Sequence, residues 1–143
     1  MQPHLQPLPE LTPAQAFWRG TVTALVVAFP AGVFNQFLVS TGDVEGGSPW
    51  AIFFWILILF GGAAGGWTVI RLSPSAALSY AAGAAALAYA VVQAVGILRR
   101  LAIDEPISWL AFPFLGLLMA TCGMLGGMFA GRTVRRYGAP DDD

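Results

Sequence analysis

The sequence predicts an all-α integral membrane protein, a four-helix bundle that could consist of two tandem helical hairpins. Three observations support this fold class. Of 143 residues, 57% are hydrophobic and only 10% are charged, and the mean hydropathy is +0.68, whereas a water-soluble domain needs more polar residues on its surface. Four apolar stretches are long enough to cross a bilayer. A proline-containing helix start accompanies each stretch.

Two short tails flank the predicted membrane domain, which covers residues 12–136. Residues 1–11 contain three prolines and no hydrophobic periodicity, so we expect a disordered tail on the cytoplasmic side. Residues 137–143 end in three aspartates and are expected to form an acidic C-terminal tail.

Each predicted span holds about 20 apolar residues, the number that a helix rising about 1.5 Å per residue needs to cross about 30 Å of hydrocarbon. Arg19, near the start of the first span, is the one charged residue inside them. Backbone groups in hydrocarbon need hydrogen-bond partners within their own segment, so the spans are predicted to be helices. They cover residues 16–39, 50–70, 76–98 and 107–130.

Every span is preceded by a residue with a side-chain acceptor followed by proline. Proline has a fixed φ and no N–H, so it fits the first helical turn, and the residue before it can accept from the free amides. Thr12 and Gln15 also form a capping-box pattern. The predicted starts are Thr12-Pro13, Ser48-Pro49, Ser73-Pro74 and Glu105-Pro106.

The arginines predict the orientation, because cytoplasmic segments of membrane proteins carry an excess of basic residues. Five arginines lie on the side of the two termini and two on the other side. We therefore expect a multi-pass protein of the cell membrane with both termini in the cytoplasm. Asp104 and Glu105 could partly neutralise the outer pair. The inner arginines are Arg19, Arg71, Arg132, Arg135 and Arg136, and the outer ones are Arg99 and Arg100.

An offset of 61 residues aligns the end of the second span with the end of the fourth, which suggests a duplicated hairpin. Both copies would enter the membrane from the same side, since each contains two spans. Chance convergence on a glycine-rich packing pattern is the alternative. The offset places Gly62, Gly65, Gly66 and Arg71 on Gly123, Gly126, Gly127 and Arg132.

Glycines four residues apart leave a strip without side chains on one helix face, which lets two helices approach closely. Van der Waals contact of this kind drives helix association in lipid, where apolar burial contributes little. The strips suit a monomeric core or a homodimer equally well. The glycines predicted to pack helices are Gly61, Gly62, Gly65, Gly66, Gly123, Gly126, Gly127 and Gly131.

Three amide side chains form a possible polar cluster, because Asn35, Gln36 and Gln93 are all expected within about two turns of the outer ends of their helices. One interpretation is a polar vestibule or ligand contact. The other, which the sequence alone favours, is hydrogen bonding between helices, a common stabilising contact near the membrane interface.

The residue types that could support catalysis or metal binding are too few to predict an enzyme. The chain has one cysteine and one histidine, with no cluster of the spacing that a metal site, an enzyme or a phosphate-binding loop requires. A net charge of −1 argues against nucleic-acid binding. We therefore expect no enzyme activity and no cofactor. The use of arginine alone as basic residue, with abundant alanine and glycine, is typical of a GC-rich bacterial source.

These observations predict a non-enzymatic membrane protein that lies in the lipid bilayer and packs with itself or with another membrane protein. The alternative is a small channel or transporter for an ion or small solute. A channel would be oligomeric, because four short helices leave little room for a pore. Against simple proton-coupled transport, the sequence has no ionisable carboxylate in the middle of a span.

Overall fold

The structure, a computed structural model, describes residues 10–42, 47–104 and 109–137, with side chains up to residue 134. Within these ranges it contains four helices and no strand. All four are long and apolar enough to cross a membrane, which confirms the predicted all-α membrane bundle. The helices are α1 (Pro13–Ser40), α2 (Pro49–Leu72), α3 (Leu78–Ala102) and α4 (Ala111–Tyr137).

The first two helices begin where the sequence predicts. The Thr12 hydroxyl accepts from the Gln15 N–H at 3.3 Å, and the Gln15 side chain accepts from the Thr12 N–H at 3.3 Å. This reciprocal pair is the predicted capping box. The Ser48 hydroxyl accepts from the Ala51 N–H at 3.3 Å, so a side-chain N-cap begins α2 as well.

The predicted start of the third helix is wrong. Ser73 ends α2, because its N–H donates to the Val69 carbonyl at 3.0 Å. Residues 74–75 then form a turn, and α3 begins only at Leu78 behind Ala77, which makes no side-chain cap. The chain has to reverse direction between the two helices, and this reversal uses the residues that the proline pattern assigned to α3.

The fourth predicted start, Glu105-Pro106, lies outside the described residues. Trp109 and Leu110 form a turn, so the described part of α4 starts at Ala111 rather than at residue 107. The tail residues 1–9 and 138–143 also lie outside the described part of the chain.

The bundle has two distinct ends and an unequal set of helix contacts. We call the end with the start of α1 and the end of α4 the proximal end, and the opposite end the distal end. Each helix packs on two or three others, but α1 and α4 do not contact each other within the described residues, whereas α2 and α3 do. The central pair α2 and α3 therefore separates α1 from α4.

Glycine contacts hold the proximal half of the bundle together. A Cβ on Gly65 would lie 2.7 Å from the Gly20 carbonyl oxygen of α1. A Cβ on Gly66 would overlap the Gly123 carbonyl of α4, and one on Gly126 would overlap the Ala63 carbonyl of α2. These backbones approach as closely as they do because the side chains are missing.

The other predicted packing glycines also lie between helices, but less tightly. A Cβ on Gly61 would lie 3.0 Å from the Ala24 carbonyl of α1, and one on Gly62 would lie 2.8 Å from the Met119 sulfur of α4. A Cβ on Gly127 would lie 3.0 Å from the Ala81 methyl of α3. Gly131 differs, since a Cβ there would make an ordinary contact with Ile70 at 3.9 Å.

The glycine faces do not follow the 61-residue offset. The offset pairs Gly62 with Gly123, but Gly62 faces α4 whereas Gly123 faces Ala81 and Ala85 of α3. The glycines that face the other helix of their own hairpin are Gly61 and Gly65 in α2 and Gly123 and Gly127 in α4, which an offset one residue longer would align. Duplication of a hairpin therefore stays a prediction.

Small residues fill the core, and large ones cover the outside. Most of the buried hydrophobic residues are alanines, whereas Phe60, Phe114 and Leu117 are each at least 65% exposed. This distribution reverses that of a soluble bundle and suits a surface that faces lipid. Pro30, which the sequence places in the middle of α1, is exposed as well, and α1 continues through it.

Candidate functional site

A cavity of about 370 Å³ lies in the distal half of the bundle, and all four helices line it. We call it the distal cavity. Its mouth carries residues from the end of α1, the end of α3 and the start of α4, namely Ser40, Arg99, Arg100 and Ala111. Farther in, α2 contributes Trp55 to the wall. The distal cavity brings polar side chains from α1 and α3 together in one space.

The distal cavity reaches the middle of the bundle and ends there. Tyr89 lines its deep part, and the helix rise places it about 20 Å from the end of α3. Ile58 lies at the same depth and packs with Tyr89, Ala85 and Met119 in one buried cluster. Below this cluster the bundle is closed by the glycine contacts of α2 and α4, none of whose residues lines the cavity.

The three amides predicted as a polar cluster all line this one cavity. Asn35 and Gln36 come from α1 and Gln93 from α3, and all three are half-buried. The Gln36 amide crosses toward α3, where a Cβ on Gly96 would lie 2.7 Å from its Nε2 atom. The absence of a side chain at Gly96 therefore leaves the space that this amide occupies.

Hydrogen bonding between helices does not explain these amides. Among the described residues, no hydrogen bond joins Asn35, Gln36 and Gln93 to one another. The Asn35 Oδ1 atom is buried and has no hydrogen-bond partner there. A buried polar atom without a partner costs about 1–3 kcal/mol. The arrangement therefore resembles the wall of a polar site more than a dry helix contact.

Tyr89 is a further cavity residue that the sequence analysis did not select. Its side chain is only 5% exposed, and its hydroxyl is buried without a hydrogen-bond partner in the described structure. The signal was present in the helical spacing, since Tyr89, Gln93, Gly96 and Arg100 follow one another at intervals of three or four residues and share a face of α3.

Positive charge lies at the mouth of the distal cavity. Arg99 and Arg100 both line it and are half-buried. The expected neutralisation by Asp104 is not found, because Asp104 is exposed and no ion pair joins it to either arginine within the described ranges. Glu105 lies outside those ranges. The described part of the mouth therefore combines two guanidinium groups with the amides deeper in.

The described residues hold no group of three or more His, Cys, Asp or Glu side chains that could bind a metal ion. Cys122 is a free thiol on α4, half-buried and not part of the cavity wall.

The chain matches no known family model, no curated protein and no solved structure. The fold and the composition together make it a small multi-pass membrane protein.

Proposed function

We propose that the protein binds a small polar solute in the distal cavity and acts as a non-enzymatic transporter or solute-binding subunit of the cell membrane. One observation carries the proposal. Asn35 Oδ1 and the Tyr89 hydroxyl are buried in the wall of the same cavity without hydrogen-bond partners in the described structure. Two unpartnered polar groups in a low-dielectric setting are retained most readily where a ligand or a water molecule supplies the missing hydrogen bonds.

The depth of the cavity supports a solute site rather than a surface groove. Transporters bind their substrates near the bilayer midplane, between helices, where polar groups line a space closed to lipid. Tyr89 lies near the middle of α3 and Ile58 near the middle of α2. Gln93 and Asn35 line the same cavity closer to the mouth, so a solute that extends outward from this depth would meet them next.

The closed proximal half favours a transporter over a channel. A channel needs a continuous path, but Gly66 meets Gly123 and Gly65 meets Gly20 directly below the cavity. Passage through one chain would therefore require the helices to move apart there. A cavity open at one end and sealed at the other corresponds to one state of alternating access.

Assembly with a second copy or with another membrane protein is the second candidate function, and it is the one that the sequence alone favours. Its supporting observation is the outer surface of α1 and α4, which do not contact each other and expose large apolar side chains such as Phe34, Phe114 and Leu117. The tightest glycine contacts count against it, because they are already made inside one chain.

The proposed orientation follows from the arginine distribution. With both termini in the cytoplasm of a bacterial cell, the positive-inside rule is satisfied by five arginines against two. The distal cavity then opens to the outside of the cell. The surrounding lipid bilayer is the one partner that both candidate functions require.

Reconstitution tests the choice between the two functions. Purified protein in liposomes is assayed for uptake of a panel of ions, sugars, amino acids and organic acids. We expect at least one specific uptake or binding signal, which is lost when Gln36→Leu is combined with Gln93→Leu. The matched control is Thr121→Val, because Thr121 is exposed on α4 and its hydroxyl bonds within its own helix, to the Leu117 carbonyl at 2.9 Å.

A result against the proposal is equally clear. If the wild-type protein neither binds nor takes up any member of the panel, while it co-purifies in a fixed ratio with another membrane protein, the assembly function takes precedence. Monodisperse elution of each variant in mild detergent ensures that a lost signal reflects the cavity and not the fold.

A further inference from the structure

The electrostatic character of the distal cavity narrows the class of solute. Its described charged residues are Arg99 and Arg100, and neither guanidinium group makes an ion pair or hydrogen bond within the described part of the chain. The other side chains that carry hydrogen-bonding groups in the wall are uncharged, chiefly Asn35, Gln93 and Tyr89. The wall therefore offers guanidinium donors at the mouth and neutral donors and acceptors at depth.

Guanidinium groups preferentially bind oxyanions. Arginine presents planar, paired N–H donors that match the two oxygens of a carboxylate or phosphate. At a membrane protein's end, partly shielded from water, this attraction is stronger than on an open surface. A cation would be repelled by the two guanidinium groups at the described part of the mouth, and a neutral solute would leave both of them without a charged partner.

We infer that the distal cavity binds a small solute with an oxyanion group, a carboxylate or phosphate, held by Arg99 and Arg100. The polar body of the solute lies deeper, against Gln93 and the Tyr89 hydroxyl. This inference rests on the proposed solute-binding function and adds the chemical class. The Tyr89 hydroxyl, which belongs to a side chain more than nine-tenths buried and has no partner in the described structure, supports the solute site itself, and the two arginines at the mouth add the chemical class.

The geometry of α3 fits a solute of this kind. Arg100, Gln93 and Tyr89 lie on one helix face, and the rise from Tyr89 to Arg100 is about 16 Å. Tyr89 and Arg100 both have long side chains, so the distance that a solute must bridge between their polar groups is shorter than this rise. A cavity of about 370 Å³ is near the lower limit for small-molecule sites, so the solute is small.

The same oxyanion chemistry occurs in soluble metabolites and in phospholipid headgroups. The mouth of the cavity lies at the end of the helices, where both can reach Arg99 and Arg100. The experiment therefore includes a soluble arm and a lipid arm.

In the soluble arm, the full-length protein in a non-ionic detergent is titrated with inorganic phosphate, succinate, glycerol 3-phosphate, glycerol and choline. Binding is followed by native mass spectrometry and by the shift in unfolding temperature. We expect the three oxyanions to bind and glycerol and choline to bind at least ten-fold more weakly.

In the lipid arm, nanodiscs of phosphatidylcholine are compared with nanodiscs that also contain phosphatidylglycerol. If the phosphatidylglycerol of the second kind of nanodisc competes with glycerol 3-phosphate for binding, the site is assigned to a lipid headgroup. If phosphatidylglycerol does not compete, the site is assigned to a soluble solute.

The arginine variants test the role of the mouth. Arg99→Gln combined with Arg100→Gln is expected to weaken oxyanion binding at least ten-fold, which corresponds to about 1.4 kcal/mol. Lysine at both positions keeps the charge but loses the paired donors, so we expect an intermediate affinity. The control is Arg71→Gln, because Arg71 is likewise a basic residue in the last turn of a helix but lies at the proximal end. This variant should bind as the wild type does.

The results separate the inference from the function on which it rests. If glycerol or choline binds preferentially and this binding depends on Tyr89 and Gln93, the oxyanion assignment is overturned. The solute-binding function is kept in that case. Unchanged oxyanion binding in the double glutamine variant overturns the assignment to Arg99 and Arg100. If none of the five probes binds and Tyr89→Phe and Gln93→Leu have no effect in the uptake panel, the solute-binding function itself fails.

Discussion

At the scale of single residues, Tyr89 shows how stability and function compete. Its buried hydroxyl has no partner in the described structure, so Tyr89→Phe removes an unsatisfied group and keeps the ring that packs with Ile58 and Met119. We expect the unliganded protein to lose no stability and to gain up to about 1 kcal/mol, while solute binding weakens. Thermal unfolding without ligand, compared with binding in the same detergent, measures both effects.

A marked loss of stability in Tyr89→Phe would contradict this expectation. It would mean that the hydroxyl is already satisfied by a permanent partner such as ordered water. Tyr80→Phe is the matched control, since Tyr80 is an exposed tyrosine of the same helix at the proximal end and lies outside the cavity wall.

Two glycines of α4 provide a second test at this scale. Gly126→Ala places a methyl group on the Ala63 carbonyl, whereas Gly131→Ala places one at an ordinary distance of 3.9 Å from Ile70. We expect Gly126→Ala to destabilise the bundle by about 1–3 kcal/mol, the usual range for overpacking, and Gly131→Ala to leave it nearly unchanged. Unfolding by SDS titration in mixed micelles measures the difference. Equal midpoints would show that α2 and α4 are not in close contact.

Individual residues also show what the sequence could reveal about the site. Amides in apolar spans stand out, so Asn35, Gln36 and Gln93 could be selected as a set. The helical spacing places Tyr89 on the same face of α3 as Gln93, but the lack of a hydrogen-bond partner for its hydroxyl depends on the packing of neighbouring helices and could not be predicted. Likewise, local sequence places Arg99 and Arg100 beside Asp104, but pairing depends on side-chain geometry at the helix end.

At the scale of helices, length and hydrophobicity were sufficient to predict the elements. In lipid the backbone must form hydrogen bonds within its own segment, so an apolar stretch of this length can only become a helix. The ends were harder to predict. Thr12 and Ser48 cap helices as expected, whereas Ser73 closes one, because a serine followed by proline suits either the start of a helix or a turn.

Replacing Thr12 or Ser73 with alanine is expected to change the stability by different amounts. Thr12 makes a reciprocal cap, so Thr12→Ala should destabilise the start of α1 by about 1 kcal/mol. Ser73 is fully buried and its hydroxyl has no partner in the described structure, so Ser73→Ala should cost nothing. Hydrogen exchange of the first amides of α1 and of α3 checks both expectations: Thr12→Ala should speed exchange in α1, and faster exchange of the first α3 amides in Ser73→Ala would show that Ser73 caps α3 after all.

At the scale of the whole molecule, the bundle divides into a half with close glycine contacts between helices and a half that contains the distal cavity. In the proximal half, small residues bring α2 into contact with both α1 and α4. In the distal half, larger side chains such as Trp55 and Tyr89 hold the helices apart around the cavity. The sequence contains both sets of residues, but the cavity depends on how four helices meet, which the pattern of one helix does not specify.

The two ends of the bundle should be accessible from opposite sides of the membrane. With Cys122 replaced by Ala, single cysteines are introduced at Ser40, which lines the cavity mouth, and at Ser75, which is exposed in the proximal turn. The two positions lie at opposite ends of helices longer than the hydrocarbon is thick. A membrane-impermeant maleimide should therefore label Ser40→Cys in intact cells, and Ser75→Cys only after the membrane is permeabilised, if both termini are cytoplasmic. Labelling of both positions in intact cells would contradict a spanning bundle. The reverse pattern would keep the bundle but place the distal cavity on the cytoplasmic side, where its solute would have to come from the cell interior.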